Sequence, residues 1–193
     1  MGIFAEKIFK FRSYTPIPFI VLMVIFQKAS IESMLIGFTL IIIGEYFRLW
    51  GVSYAGSETR TTGNVGGTYL VVSGAYAFVR NPLYFGNMMI YLGVGFMSMA
   101  LFPYLQIAAF LFFFFQYIII INEEETFLQS KYGKSYENYC EAVPKLIPSL
   151  KRYQNQNLDQ PAFNFNAGLS SEKRTLQAIT IIILIVIIRY ISN

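Results

Sequence analysis

Two uncharged apolar runs face each other across a very short break, and this constrains the chain more than any other feature. Pro82 to about Leu101 carries no charge, Phe102-Pro103 interrupts it, and Leu105 to Ile121 carries none either. So short a connection between two apolar segments forces an antiparallel helical hairpin. Charge returns at the two ends that such a hairpin brings together. Arg80 lies two residues before Pro82, and Asn122-Glu123-Glu124-Glu125 follows the run Ile118-Ile119-Ile120-Ile121. Ionisable groups at the edge of a bilayer usually face a bundle interior or a polar cavity, and they mark a functional site by default. The plainer alternative is an interfacial flank, with Arg80 snorkelling and the glutamates in water.

The rest of the chain supports a membrane reading. It is 55% hydrophobic and only 13% charged, where soluble domains run near 25% charged. Pro16 to Ala29 is apolar but short, Met34 to roughly Ala55 is long enough to span, and Leu176 to Ile191 is a last, isoleucine-rich run. Together with the hairpin these make about five crossing segments in an all-α integral membrane protein. Residues 1–55 form an N-terminal pair of membrane helices, 56–150 a central core and 151–193 a polar linker with a C-terminal membrane helix. Lys7, Lys10, Arg12 and most later basic residues fall on one side of this arrangement, with Lys28 and Arg189 opposite. The positive-inside rule then places the N-terminus and the polar ends of the hairpin in the cytoplasm. Scattered over loops beside membrane segments, the basic excess is not a nucleic-acid footprint.

Several chemistries are excluded at the outset. There is no histidine and a single cysteine, Cys140. That removes Ser-His and Cys-His nucleophile pairs, histidine metal sites, an imidazole base and any internal disulfide. No metal site is expected.

Between the second and third runs lies the polar, glycine-rich loop Gly56 to Thr68, which lacks the spacing of a Rossmann turn. Tyr69 to Val72 is a short β-prone run ending at the Ser73-Gly74 turn. Glu45 and Arg48 form an i,i+3 pair on one helical face, read first as a mutually neutralised structural pair, the alternative being that they help line an active-site cavity. Asn122 to Cys140 reads as an amphipathic helix on or leaving the membrane, and Ser149 to Arg174 as a flexible link.

The spelling of both halves of the hairpin carries a resemblance. Val79-Arg80-Asn81-Pro82-Leu83-Tyr84-Phe85-Gly86 resembles the Arg-His-Pro-x-Tyr-x-Gly element of the isoprenylcysteine carboxyl methyltransferase and phospholipid methyltransferase superfamily. Glu123-Glu124-Glu125, Lys131-Tyr132-Gly133, Tyr136, Tyr139 and Val143-Pro144-Lys145-Leu146-Ile147-Pro148 resemble its C-terminal pattern. Asn81 stands where that family usually has histidine, and Lys145 where arginine is usual. The resemblance implies an integral membrane methyltransferase that uses S-adenosylmethionine in a pocket at the cytoplasmic face, with the hairpin as its catalytic core. By position it implies cofactor contacts at Thr68, Tyr69, Leu70, Val71, Tyr76, Asn81, Pro82, Leu83, Tyr84 and Glu124, with Arg80 and Glu123 beside them. Arg80, Asn81, Tyr84 and Glu124 would be the residues closest to the chemistry.

Methyl transfer from a sulfonium suits a chain without imidazole, since the methyl is already activated and the protein's task is alignment and desolvation. In prenylcysteine enzymes an arginine four residues before the cofactor-binding glutamate is expected to hold the substrate carboxylate, and that position is Ile120. The acceptor is therefore read as a lipid or lipophilic molecule without a free carboxylate, entering from the bilayer. The competing readings are a membrane NADPH-dependent reductase of the sterol reductase type and a non-catalytic membrane protein.

Overall fold

The computed structural model describes residues 3–56, 69–155 and 157–192, with side chains from Glu6 onward. The described residues form seven α-helices: α1 (Ile3–Phe11), α2 (Pro16–Ile25), α3 (Ile31–Ala55), α4 (Pro82–Ser98), α5 (Tyr104–Tyr132), α6 (Lys134–Ala142) and α7 (Phe165–Ser192). A 3₁₀ turn, Gly74–Ala77, precedes α4. Among these residues there is no β-strand.

Three of the helices, α3, α5 and α7, are long and apolar enough to cross a membrane. The other two expected crossings are shorter. α2 has ten residues. α4 has 17 residues, about 25 Å at the α-helical rise, against a hydrocarbon core of about 30 Å.

The helices α3 and α4 are joined by a seam of small residues. Buried Ser33, Gly37, Ile41, Gly44, Arg48 and Gly51 recur at spacings of three and four along α3. Pro82, Gly86, Ile90, Gly93 and Met97 do the same on α4. The glycines oppose each other. A Cβ added at Gly44 would lie 2.6 Å from the Gly86 carbonyl oxygen, and one at Gly93 would lie 2.6 Å from that of Gly37. Backbones this close leave no room for a side chain, which is how small residues stabilise helix pairs in lipid. The seven-residue glycine repeat keeps the contact on one face of each helix. At the far end, Ser30 and Ser33 cap α3 reciprocally, and the Ser33 hydroxyl also reaches the Met97 carbonyl at 3.4 Å.

Next to α4, α5 runs antiparallel. Tyr84 stacks near Tyr117 with ring centroids 4.9 Å apart, and near the other end Gln106 donates to the Gly95 carbonyl at 2.9 Å. α7 runs antiparallel to α3: Gly168 lies against Ser53, and Gln27 donates to the Val186 carbonyl at 2.8 Å. α1 and α2 pack on the α4–α5 side, with Ile8, Phe9 and Phe19 against the main apolar core.

Four local expectations change. Tyr69 to Val72 is not a strand, because its partner is a side chain rather than another strand (see below). α5 does not end at Ile121 but continues through the glutamates to Tyr132, where Gly133 at φ 51° turns the chain into α6. α4 ends at Ser98, followed by Met99 in the left-handed region at φ 49°. The supposed flexible link is helical from Phe165 onward.

Candidate active site

The site is built at the end of the bundle where α4 begins and α5 leaves its apolar stretch. Proline at its first position, with its fixed φ, starts α4 and leaves Arg80 and Asn81 just outside the helix. Tyr84, on the first turn of α4, donates its hydroxyl to Glu124 Oε1 at 2.8 Å. Glu124 is largely buried, and no ion pair among the described residues involves it. Tyr76, on the 3₁₀ turn, lies close enough to feel the same carboxylate. Burial first, with the Glu124 charge adding to it, pushes the Tyr76 phenol well above its ordinary value, so it stays protonated. One phenol hydroxyl thus contacts the carboxylate, and a second phenol lies within its electrostatic influence.

Arg80 does not reach this carboxylate; it binds the next one. Its Nε meets Glu125 Oε1 at 2.9 Å, and Nη1 donates to the carbonyls of Cys140 at 2.8 Å and Val143 at 2.7 Å. The second oxygen of Glu125 takes Lys145 Nζ at 2.8 Å. Asn81 Nδ2 donates to the Lys145 carbonyl at 3.0 Å. Arg80, Asn81 and Glu125 therefore tie the 140–145 segment to the start of α4, and the usual-arginine position, Lys145, joins the same knot.

The remaining sequence candidates are dispersed. Pro82 and Leu83 pack against Gly51 of α3. Tyr69 is exposed, whereas Leu70 is buried with Val72, Tyr136, Tyr139 and Val143 in a second core. Val71 and Glu123 are half-buried. Thr68 lies outside the described residues. The backbone of the 70–72 segment is engaged by Gln160, whose amide donates to the Leu70 carbonyl at 2.9 Å and accepts from the Val72 N–H at 2.8 Å. That donor–acceptor pair is the same edge an adenine presents, so the carboxamide satisfies what a strand was expected to.

Two further features had not been anticipated. The Arg12 guanidinium, at the end of α1, stacks on the Phe9 ring at 3.7 Å and donates to the Phe9 carbonyl at 2.7 Å. Arg48 is gripped from three helices: by Glu172 of α7 at 2.7 Å, by Asn87 of α4, and more loosely by Glu45 at 3.7 Å on its own helix. The local pair read from sequence is thus the weaker of two. Nothing local marks Gln160 or Glu172, since their partners are 88–90 and 124 residues away.

The sequence also matches, over residues 33–135, the family described as "Phospholipid methyltransferase". That is more than half of the chain. It includes Tyr76, Tyr84 and Glu124 and stops before Tyr136. It is also similar to the cobalt-zinc-cadmium resistance protein CzcN of Cupriavidus metallidurans, 30% identical over 125 residues, which are 64% of this chain and 51% of that protein. The chain thus spans about half the length of that curated relative. The helix seam, the start of α4 and the glutamates of α5 all fall inside the matched span, and the chain belongs to the phospholipid methyltransferase family.

Proposed function

We propose that the protein is an integral membrane methyltransferase that takes its methyl group from S-adenosylmethionine and delivers it to a lipid or lipophilic acceptor. One observation carries the reading: Glu124 is a largely buried carboxylate held by a single phenol hydroxyl and by no ion pair among the described residues. A largely buried anion with no ion-pair partner in contact is unfavourable by several kcal/mol unless a partner arrives. A ligand ammonium supplies that partner, and the cofactor's amino-acid end carries one.

The residues fit the cofactor on this count. When bound, the cofactor supplies a methyl group already activated by its sulfonium. Glu124 would hold the ammonium, Tyr84 would fix the carboxylate's orientation, and the protonated Tyr76 would offer a second hydroxyl. Arg80, Asn81 and Glu125 act as positioning residues, holding the chain around the site. The contacts proposed at Thr68, Tyr69, Leu70, Val71, Pro82, Leu83 and Glu123 would surround them. A purine on the Leu70–Val72 backbone would have to displace Gln160. The helical hairpin α4–α5, within a catalytic unit spanning 56–150, would be the core, with the pocket at the cytoplasmic face.

Calorimetry on the detergent-solubilised protein is expected to show saturable binding of S-adenosylmethionine or its demethylated product. Losing one charge-assisted contact corresponds to about 1.5–3 kcal/mol, so Glu124→Gln is expected to weaken binding about 10- to 100-fold. Tyr84→Phe should weaken it less. Unchanged affinity in Glu124→Gln would remove the basis of the assignment.

With five crossings, as the apolar runs suggest, the charge distribution favours a cytoplasmic N-terminus. Reporter fusions at Gly2 and Asn193 are expected on opposite sides of the membrane. Both on one side would mean that α2, α4 or α7 does not cross.

A further inference from the structure

Ile147 and Leu150, in the loop after α6, are 78% and 101% exposed, more than Phe115 on the apolar outer side of α5 at 60%. Slack in the chain does not account for this. The Arg80 N–H donates to the Pro144 carbonyl at 2.9 Å, Asn81 Nδ2 to the Lys145 carbonyl at 3.0 Å, and the Ser149 N–H to the Phe78 carbonyl at 2.8 Å. Beyond Leu150, the Tyr153 N–H donates to the Ala77 carbonyl at 2.9 Å. A backbone pinned on both sides of these two side chains holds them out of the protein's own core. A single exposed leucine is ordinary on a protein surface, so the pair matters through what surrounds it.

Depth comes first. Leu146 is buried in the main apolar core, which also contains Ile120 and Ile121 of α5. Lys145 Nζ meets Asn122 Oδ1 and Glu125 Oε2, each at 2.8 Å, and Asn122 is the first polar residue after the apolar stretch of α5. The loop therefore lies at the level where a spanning α5 leaves the hydrocarbon. Charge comes second. Lys151 and Arg152 follow directly, both are exposed, and none of the ion pairs among the described residues involves either. Between Ala142 and Asp159 the chain carries no acidic residue to neutralise them. Apolar side chains beside such cations at a bilayer surface make an interfacial anchor: the acyl boundary receives the first and anionic head groups the second. A soluble protein would have to bring an acidic and apolar surface down to the plane of the bilayer, where anionic lipid already lies.

We propose that residues 145–152 form an anchor for an anionic bilayer surface, with Ile147 and Leu150 seated in the adjacent leaflet and Lys151 and Arg152 paired with negatively charged head groups. The lipid here is a binding surface and not a methyl acceptor, so the anchor stands or falls independently of the methyltransferase reading. It touches the candidate active site only through backbone: the carbonyls of Val143, Pro144 and Lys145 accept from Arg80 and Asn81. A leaflet that holds the loop in place thereby also holds the chain just before α4.

The test places the full-length protein in nanodiscs of phosphatidylcholine, with or without phosphatidylglycerol. A fluorophore is attached at Leu150→Cys in a Cys140→Ser background, and doxyl groups on the lipid acyl chains act as quenchers. Quenching at position 150 is expected in both discs and to be stronger with phosphatidylglycerol. The same fluorophore at Glu141→Cys, exposed on α6, is expected to stay in water and escape the quencher. Lys151→Gln and Arg152→Gln should each weaken the seating in anionic discs about 5-fold. About 1 M salt, which cuts the screening length to about 3 Å, should act as these variants do. Ile147→Ser should lower quenching at position 150 in both kinds of disc. Gel filtration and Trp50 emission matching the parent would show that each variant is folded. Quenching at position 150 no greater than at position 141 would overturn the proposal. So would quenching indifferent to phosphatidylglycerol, to the charge variants and to salt. A fluorophore shielded from water yet untouched by the doxyl lipids would overturn it too, since the loop would then be covered by protein, whether a second copy or another chain.

Discussion

Replacing Glu172 by alanine is expected to destabilise the protein by about 3–5 kcal/mol, the range for breaking a buried ion pair from one side. Glu172 is fully buried, and its carboxylate is the closest acidic partner of the Arg48 guanidinium, at 2.7 Å. Arg48 sits seven residues inside the end of α3, about 10 Å deep. Without Glu172 it keeps Asn87, the Thr175 hydroxyl at 3.3 Å and the more distant Glu45 at 3.7 Å. The sole tryptophan, Trp50, lies on α3 beside the network and makes denaturant unfolding readable by its fluorescence. The double variant Arg48→Met with Glu172→Leu is expected to recover most of the loss, because an apolar pair carries no desolvation penalty. A Glu172→Ala protein as stable as the parent would show that α7 is held by apolar contact alone.

The second large effect concerns the α3–α4 seam. Gly44→Leu is expected to prevent recovery of a monodisperse protein. A Cβ at that position already meets the Gly86 carbonyl at 2.6 Å and Ile90 Cγ1 at 2.9 Å, so a branched side chain must drive the helices apart. Gly44→Ala, one atom rather than four, is expected to cost about 1–3 kcal/mol, as overpacking does in tight cores. Ile42→Ala serves as the control, since Ile42 is 53% exposed on the outer face of the same helix. Gel filtration and thermal melting in one detergent would compare the three. A well-behaved Gly44→Leu protein would mean that the helices do not approach as described.

How much of this was open to reading depends on the range of the interaction. The pairing of α4 with α5 followed from the short Phe102-Pro103 break, and Tyr84 and Glu124 were picked out through the family resemblance. They meet because Tyr84 lies on the first turn of α4 and Glu124 lies on the antiparallel α5 where its apolar stretch gives out. Arg80 lies at the expected end of the hairpin, and its pairing with Glu125 was not legible: Glu124 and Glu125 are about 100° apart on a helix, and periodicity alone does not say which one faces α4. The heptad of Gly37, Gly44 and Gly51, answered by Gly86 and Gly93, stands in the sequence, but a glycine spacing on one helix does not say which other helix closes on it. Gln160 and Glu172 had no local signature at all. A glutamine in an Asn- and Gln-rich stretch looks like linker, and a glutamate beside Lys173 and Arg174 looks like a solvated helix start.

The strap from Cys140 to Asn164 has a bearing on how this protein can diverge from its relatives. The family match ends at residue 135, yet the polar atoms inside it are completed from beyond that point. Arg80 is completed by the carbonyls of Cys140 and Val143, the Leu70 and Val72 backbone by Gln160, and Arg48 by Glu172. The shared part is thus a frame with open valences, and the C-terminal third is the set of keys that fit them. A chimera that grafts residues 33–135 onto another protein's C-terminal third inherits three unmet polar demands, so inheritance in such a protein runs through matched pairs rather than through the recognisable stretch alone.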